Sequence, residues 1–264
     1  MPNDQQPPAI DTSVAHSARV WNYWLGGKDH YAADQVAGDA YREKFPLIEP
    51  MARESRDFLV RAVTYLARDA GVRQFLDVGA GLPTANNTHQ VVQRIAPESR
   101  VVYVDHDRLV LMHVEAMGES TSEGSMDYVL TDMRDTDAVV EGASKTLDFS
   151  QPIGLVINDV LGHIVDWDDA LSLVRRLVDR LPSGSYLSLS HATADNETHR
   201  LAQEEYNNSG AIPYVFREPE VTRAFFDGLE LVAPGFVSWP NWRPEPTTGT
   251  LTVRAGWGGV ARKP

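Results

Sequence analysis

A chain of 264 residues with 42% hydrophobic content is long enough to bury a substantial core, as one large domain or as one domain with a lid. Lys and Arg number 24 against 37 Asp and Glu, and the resulting net charge of −13, with no Lys/Arg run to offset it locally, excludes nucleic acid from the expected partners. Cysteine is absent, which removes disulfides, thiolate metal sites and a Cys nucleophile from consideration.

Residues 1–16 read as a disordered tail. Met1–Pro8 carries neither the basic nor the apolar region of a signal peptide, and no apolar run approaches the ~20 residues that span a bilayer. The cytoplasm is the expected setting, with no membrane partner. Residues 17–71 read as an N-terminal helical cap or lid. Within it, Met51–Ala70 puts Phe58, Leu59, Ala62, Val63 and Leu66 on one helical face, with Pro50 to open the helix and Gly71 to close it.

After Gly71 the pattern changes to strand–helix alternation, over a main domain expected to span 72–258. β-rich runs occur at Gln74–Val78, Val101–Asp105, Tyr128–Asp132, Ile153–Asn158 and Tyr186–Ser190. Helical stretches lie between them at Thr88–Ala96, Arg108–Met117 and Asp168–Leu181, the last with Asp166 as a plausible N-cap. This alternation implies an α/β fold with a parallel sheet covered on both faces. Leu229–Trp239 and Leu251–Trp257 read as an antiparallel pair closing the sheet, and 259–264 as a frayed tail.

Ligands of an open parallel sheet bind beyond the carboxyl ends of its strands. The first such turn is Asp77-Val78-Gly79-Ala80-Gly81, where the glycines permit a sharp turn and close approach of a ligand. A dinucleotide-binding turn has a third glycine, and this chain has Thr84 there. Asp77 would repel a pyrophosphate but suits the ammonium of S-adenosylmethionine. The second strand ends in Asp105, followed by His106 and Asp107, so that an acid can take the ribose hydroxyls. The third ends in Asp132 and Met133, which can accept from an adenine amino group and pack on its ring. Each acid also has a plainer reading, as a turn or helix-capping residue. Three successive strands ending in acids favour a nucleoside site.

These segments resemble a family of class I S-adenosylmethionine-dependent methyltransferases first catalogued as a domain of unknown function. The resemblance runs from Asp11 to Trp257. It is carried by Ser17-Ala18-Arg19-Val20-Trp21-Asn22-Tyr23-Trp24-Leu25-Gly26-Gly27-Lys28-Asp29, by Phe75–Thr84, by Val102-Tyr103-Val104-Asp105, by Gly184–Leu187 with Ser190-His191, and by Pro234-Gly235 with Trp242-Arg243-Pro244. It implies a Rossmann-like methyltransferase sheet of seven strands, the last antiparallel, and S-adenosylmethionine as cofactor. It implies no particular acceptor. The chain departs from the family's pattern at Pro83, where a third glycine is common, and at Gly162, which separates Leu161 from His163.

The segment Trp21–Tyr31 is not a phosphate loop, because Asn22 and Asp29 stand where a glycine and a Ser or Thr are needed. One reading makes it a lid that brings Asn22, Tyr23, Gly26 and Gly27 to the cofactor, with Tyr23 over the methionine end. The other makes it a helix that packs Trp21, Trp24 and Leu25 against the sheet. Asn158, at the end of the fourth strand, joins the expected cofactor-facing residues.

Methyl transfer needs alignment and exclusion of water, and a base only if the nucleophile must lose a proton. Asp159 and His163 are the candidate catalytic residues, with His191 as a further possibility. Each could equally be a turn residue or a satisfied polar side chain. No metal site is expected: the histidines form no H-x-x-x-H pair. Trp239–Pro244, with Tyr206 and Tyr214, offers aromatic walls for a small-molecule acceptor. The competing functions are a non-catalytic S-adenosylmethionine sensor and an NAD(P)-dependent oxidoreductase.

Overall fold

The computed structural model describes residues 11–116, 120–194, 196–244 and 255–264. Three helices come first: α1 (Ser17–Trp24), α2 (Ala32–Lys44) and α3 (Ile48–Arg68). The five apolar side chains expected on one face of α3 are all buried. Pro50 falls inside the first turn, where a missing N–H costs nothing because that N–H has no acceptor in the helix. Gly71, at φ +71°, leads out of its far end.

The sheet domain then runs β1 (Gln74–Val78), α4 (Thr88–Ile95), β2 (Arg100–Asp105), α5 (Arg108–Ala116), β3 (Ser125–Leu130), α6 (Thr136–Ala143), β4 (Gly154–Asn158), α7 (Trp167–Asp179), β5 (Tyr186–Ala192), α8 (Glu197–Asn207), α9 (Pro219–Arg223), β6 (Glu230–Leu231), β7 (Val237–Ser238) and β8 (Gly256–Arg262). Met117, expected at the end of α5, lies outside the described residues. The strand order is β3-β2-β1-β4-β5-β8-β6, with β7 pairing β8 off this path. β1 to β5 are parallel, and β8 runs antiparallel to β5, β6 and β7. The architecture is thus the expected α/β sheet with its last strand antiparallel, with eight strands in place of seven because the run at 229–239 forms both β6 and β7.

Most elements begin or end one to three residues from the expectation, and three differences have a physical cause. β3 starts three residues earlier than Tyr128 because it is the sheet edge. Its half-exposed face carries Ser125 and Asp127, which an apolar run does not register. In the C-terminal region the run Leu229–Trp239 yields two short strands, not one. The residues expected to fray are strand: β8 extends to Arg262, and Val260 and Ala261 are fully buried between β5 and β6. The glycines at 256, 258 and 259 dilute its apolar pattern, which is why 259–264 read as a tail. Residues 251–254 of the expected strand lie outside the described residues.

Strand alternation sorts the core into two layers. Phe75, Val101, Val156 and Val260 pack against α3 with Phe58, Ala62 and Leu66. Leu76, Val102, Leu155, Leu187 and Ala261 pack on the other face, with Val139 of α6 and Leu173, Val174 and Leu177 of α7. The same alternation sends Asp77 to the α3 face, and α3 therefore forms one wall of whatever lies beyond the end of β1. Among the described residues no helix is long and apolar enough to cross a membrane.

Candidate active site

At the carboxyl end of the sheet lies a cavity of about 440 Å³, within the range of small-molecule sites. Its floor is the ends of β1, β2 and β4. Its walls are α1, α3 and the segment that follows α8.

The β1 turn reaches the cavity through two left-handed glycines, Gly79 at φ +75° and Gly81 at φ +65°. A Cβ at Gly79 would strike Val160, so the β1 and β4 turns are in direct contact there. At Gly81 a Cβ would meet nothing, so the backbone is open to the cavity. Gly81 N–H donates to Asp105 Oδ2 (2.9 Å) and Asp107 N–H to Asp105 Oδ1 (3.0 Å), which locks the acid at the end of β2 against the glycine turn.

Asp77 is buried beside that turn and accepts from Thr88 Oγ1 (2.6 Å). Burial pushes its carboxyl up to about 6, against the opposing pull of the Thr88 hydrogen bond and the Arg56 charge. Arg56 comes from α3 and donates to Asn86 O (2.9 Å) and Asn87 Oδ1 (3.1 Å). Its Nε is buried with no hydrogen-bond partner among the described residues. A carboxylate and a guanidinium thus face one end of the cavity within electrostatic reach of each other.

At β3 the cavity is lined by Asp132, Met133 and Arg134, and at β2 by His106. Arg134 clasps both carboxylate oxygens of Asp132 (3.0 Å from Nε to each) and holds the acid below the usual carboxylate range. Asn158 bridges inward, its amide donating to Ser55 of α3 (3.2 Å) and accepting from Ser190 Oγ (2.7 Å).

Asp159 follows at φ +54°, a left-handed conformation that Asp tolerates better than most residues. Its Oδ1 accepts from Tyr214 OH (2.5 Å) and Ala192 N–H (2.9 Å). Tyr214 OH also meets His191 Nδ1 (3.0 Å), and His191 Nε2 meets an Arg217 nitrogen (2.9 Å). Arg217 can only donate, so Nε2 accepts and the His191 proton sits on Nδ1, directed at the Tyr214 oxygen. Tyr214 therefore gives its own proton to Asp159. Burial, then the Arg217 charge, push His191 down to about 3, which keeps it neutral. Burial pushes Asp159 up to about 7. Gly162 makes this chain possible: a Cβ there would lie 2.3 Å from the Tyr214 ring. His163 also lines the cavity, and its Nδ1 donates to Pro213 O (2.9 Å), leaving Nε2 as an acceptor.

Of the residues expected from sequence, Asp77, Gly79, Gly81, Asp105, His106, Asp132, Met133, Asn158, Asp159 and His163 come together around this cavity. Asn22, Tyr23, Gly26 and Gly27 do not. Asn22 closes the turn after α1, accepting from Asp29 N–H (3.0 Å) on its side chain and Gly27 N–H (2.8 Å) on its carbonyl. Tyr23 donates to Asp39 (2.6 Å) on the opposite side of α1. The helical period explains the correction: Trp21, Trp24 and Leu25 share the cavity face, and Asn22 and Tyr23 lie off it. Trp239 and Trp242 are fully buried against α3 and line no acceptor pocket, whereas Tyr206 and Tyr214 do. Sequence reasoning missed Arg56 and Tyr41. The available signal was Ser55-Arg56, a polar break in the buried stripe between Ala52 and Leu59. Among the described residues no group of His, Asp and Glu is arranged to hold a metal.

Comparison with known proteins agrees with this architecture. Residues 3–264 match a family model described as S-adenosyl methyltransferase. The structure of a DUF574 family protein from Streptomyces avermitilis MA-4680 shares 42% identity and a TM-score of 0.93, covering 97% of this chain and 100% of that one. A protein from Thermobifida fusca YX assigned as a methyltransferase shares 32% identity and a TM-score of 0.89, covering 98% and 99% of the two chains. Among curated proteins none matches. The chain belongs to the S-adenosyl methyltransferase family.

Proposed function

We propose that the protein is an S-adenosylmethionine-dependent methyltransferase that acts on a small-molecule acceptor. The observation that carries this reading is the pairing of Asp77 and Arg56 at one end of a cavity whose floor is the open Gly81 turn. The methionine end of the cofactor is a zwitterion. Asp77 would accept from its ammonium, and Arg56 Nε, without a partner among the described residues, would donate to its carboxylate. Asp105, already anchored by Gly81, has lone pairs left for the ribose hydroxyls. Met133 would pack on the adenine and Asp132 would accept from its amino group, with Arg134 holding the acid ionised.

When bound, the cofactor supplies a methyl group on a sulfonium sulfur, which leaves as a neutral thioether and needs no general acid. The protein's task is alignment and dryness. Trp21 and Trp24 of α1, with Leu25 just after it, line the cavity and exclude water there. In this reading Asp159, whose neighbour Val160 touches the glycine turn at Gly79, accepts a proton from the acceptor.

Calorimetric titration tests the reading. S-adenosylhomocysteine should bind and NAD should not. Arg56→Leu should weaken S-adenosylhomocysteine about 10- to 100-fold, the worth of a charge-assisted hydrogen bond. Binding of NAD with none of S-adenosylhomocysteine would overturn it. Tight S-adenosylhomocysteine binding with no turnover across a broad acceptor screen would favour the sensor.

A further inference from the structure

The acceptor end of the cavity has a chemistry of its own. Asp159 Oδ1 is fully occupied, by Tyr214 and Ala192. Its Oδ2 has no partner among the described residues, although the side chain lines the cavity. No Lys or Arg side chain reaches it. Arg217 is turned to His191 and to the carbonyls of Leu161 and Ile164. His163 adds a second acceptor, Nε2, because its Nδ1 proton is committed to Pro213 O. Burial lowers His163 further, so it supplies no positive charge. Burial, then the Asp159 charge, raise the hydroxyl pKa of Tyr41 on α2, and that hydroxyl is committed to Gln203 (3.1 Å).

Aromatic rings surround these acceptors. Trp24, Tyr41 and Tyr206 are mutually packed at centroid distances of 5.0, 6.5 and 6.1 Å, and all three line the cavity with Tyr214 and Phe216. An uncompensated carboxylate in an aromatic box is costly when empty and favourable when a cation occupies it. A neutral hydroxyl acceptor would leave the charge uncompensated. An anionic acceptor would face two more lone pairs.

We infer that the methyl acceptor is an amine, bound as its ammonium between Asp159 Oδ2, His163 Nε2 and the aromatic walls of Trp24, Tyr41 and Tyr206. This rests on the methyltransferase reading for its chemistry but not for its binding. In the reaction, Asp159 takes one N–H proton from the ammonium. The nitrogen lone pair so released forms the N–C bond while the C–S bond of the methyl donor breaks, its electrons remaining on the thioether sulfur. The product leaves as a methylated ammonium, and Asp159 returns its proton to water. Tyr214, His191 and Arg217 are positioning residues: the chain of donors from Arg217 to Asp159 fixes Oδ1 and leaves Oδ2 as the atom that faces the amine.

The test pairs amines with neutral isosteres of the same shape: tryptamine with 3-propylindole, and phenethylamine with propylbenzene. Affinity is measured by calorimetry, with and without saturating S-adenosylhomocysteine. At least one amine should bind about tenfold or more tightly than its isostere. Asp159→Asn should erase that preference while S-adenosylhomocysteine affinity stays within about twofold. In wild type, the bound amine should also lower the Asp159 pKa, read as a pH-dependent carbon-13 shift of the Asp159 carboxyl. The titratable groups around that carboxyl are Tyr41, His163, His191 and Tyr214, and the charged Arg217 lies behind His191, turned away from the carboxyl. Amines that bind no better than their isosteres in wild type would overturn the inference, whether or not the variant folds. Loss of S-adenosylhomocysteine binding would instead count against the methyltransferase reading, and the amine preference would still be measurable.

Discussion

Asp77 and Asp159 are alike in sequence, each an acid at the carboxyl end of an apolar strand, Asp77 one residue inside β1 and Asp159 one residue past β4, yet their surroundings give them different partners. Asp77 shares its space with Arg56, whereas Asp159 is held only by neutral donors, and burial carries it up to about 7. A buried Asp with a raised pKa binds its proton more tightly folded than unfolded. Between about pH 4 and 7 the native state then holds more protons, so stability falls as pH rises through that window. Asp159→Asn removes the charge and keeps an oxygen for Tyr214 and Ala192. Its melting temperature should exceed that of wild type at pH 7.5, with the gain fading toward pH 5, and it should lack methyl transfer. A gain that is constant across this range would show that the charge is not its cause. Gly162→Ala tests the same acid from a distance. Its methyl group displaces Tyr214, and the pH profile of turnover should shift upward as Asp159 loses its strongest donor. A merely structural defect would lower the rate equally at every pH.

Elements decide which side chains of a motif meet the cavity. α1 presents Trp21, Trp24 and Leu25 inward and spends Asn22 and Tyr23 on its junction with α2, where the Tyr23 ring fills the place of a Gly38 side chain. That junction rests on a buried ion pair, Arg19 to Asp34 at 2.9 Å, both almost fully buried. Asp34 also accepts from the backbone N–H of His16 and Tyr31, so it ties the chain before α1 to the start of α2. Asp34→Ala should cost about 3–5 kcal/mol, the usual consequence of leaving one buried charge alone. Urea denaturation measures this, and a loss below 1 kcal/mol would mean that Arg19 finds water on its own. The same substitution should loosen the α1 wall and weaken S-adenosylhomocysteine, because the wall is held by this pair.

The described strands form a single sheet, behind the three N-terminal helices, whose last strand is inserted between two others. β8 pairs with β5 along seven residues and with β6 and β7 on its other side. A chain ending at Gly258 would remove most of this strand and expose an edge of β5. It should fail to fold, with lost near-ultraviolet circular dichroism and aggregation on expression. A folded, cooperative truncate would overturn the central role of β8.

Much of this was legible in the sequence. The α/β class followed from strand–helix alternation. Asp77, Asp105 and Asp132 were located because a parallel sheet delivers the ends of its strands to one edge, and a local pattern is enough to mark those ends. Residues whose role depends on a helix facing the sheet were not legible. Arg56 and Tyr41 lie far from the glycine turn along the chain; the apolar stripe of α3 marks its buried face, but nothing local says that Arg56 on its margin meets Asp77, or which face of α2 turns inward. α8 escaped notice for the same reason: its buried face is His199, Ala202, Gln203 and Tyr206, and two of the four are polar. β8 was mistaken at its end because three glycines hide an apolar strand whose burial comes from its neighbours. The sequence by itself determined the sheet and the strand ends, since both depend on short-range periodicity. Only the tertiary structure decided that Asp159 stands among aromatic rings without a cation and that Arg56 stands opposite Asp77. Those are relations between segments more than twenty residues apart, and packing alone brings them together.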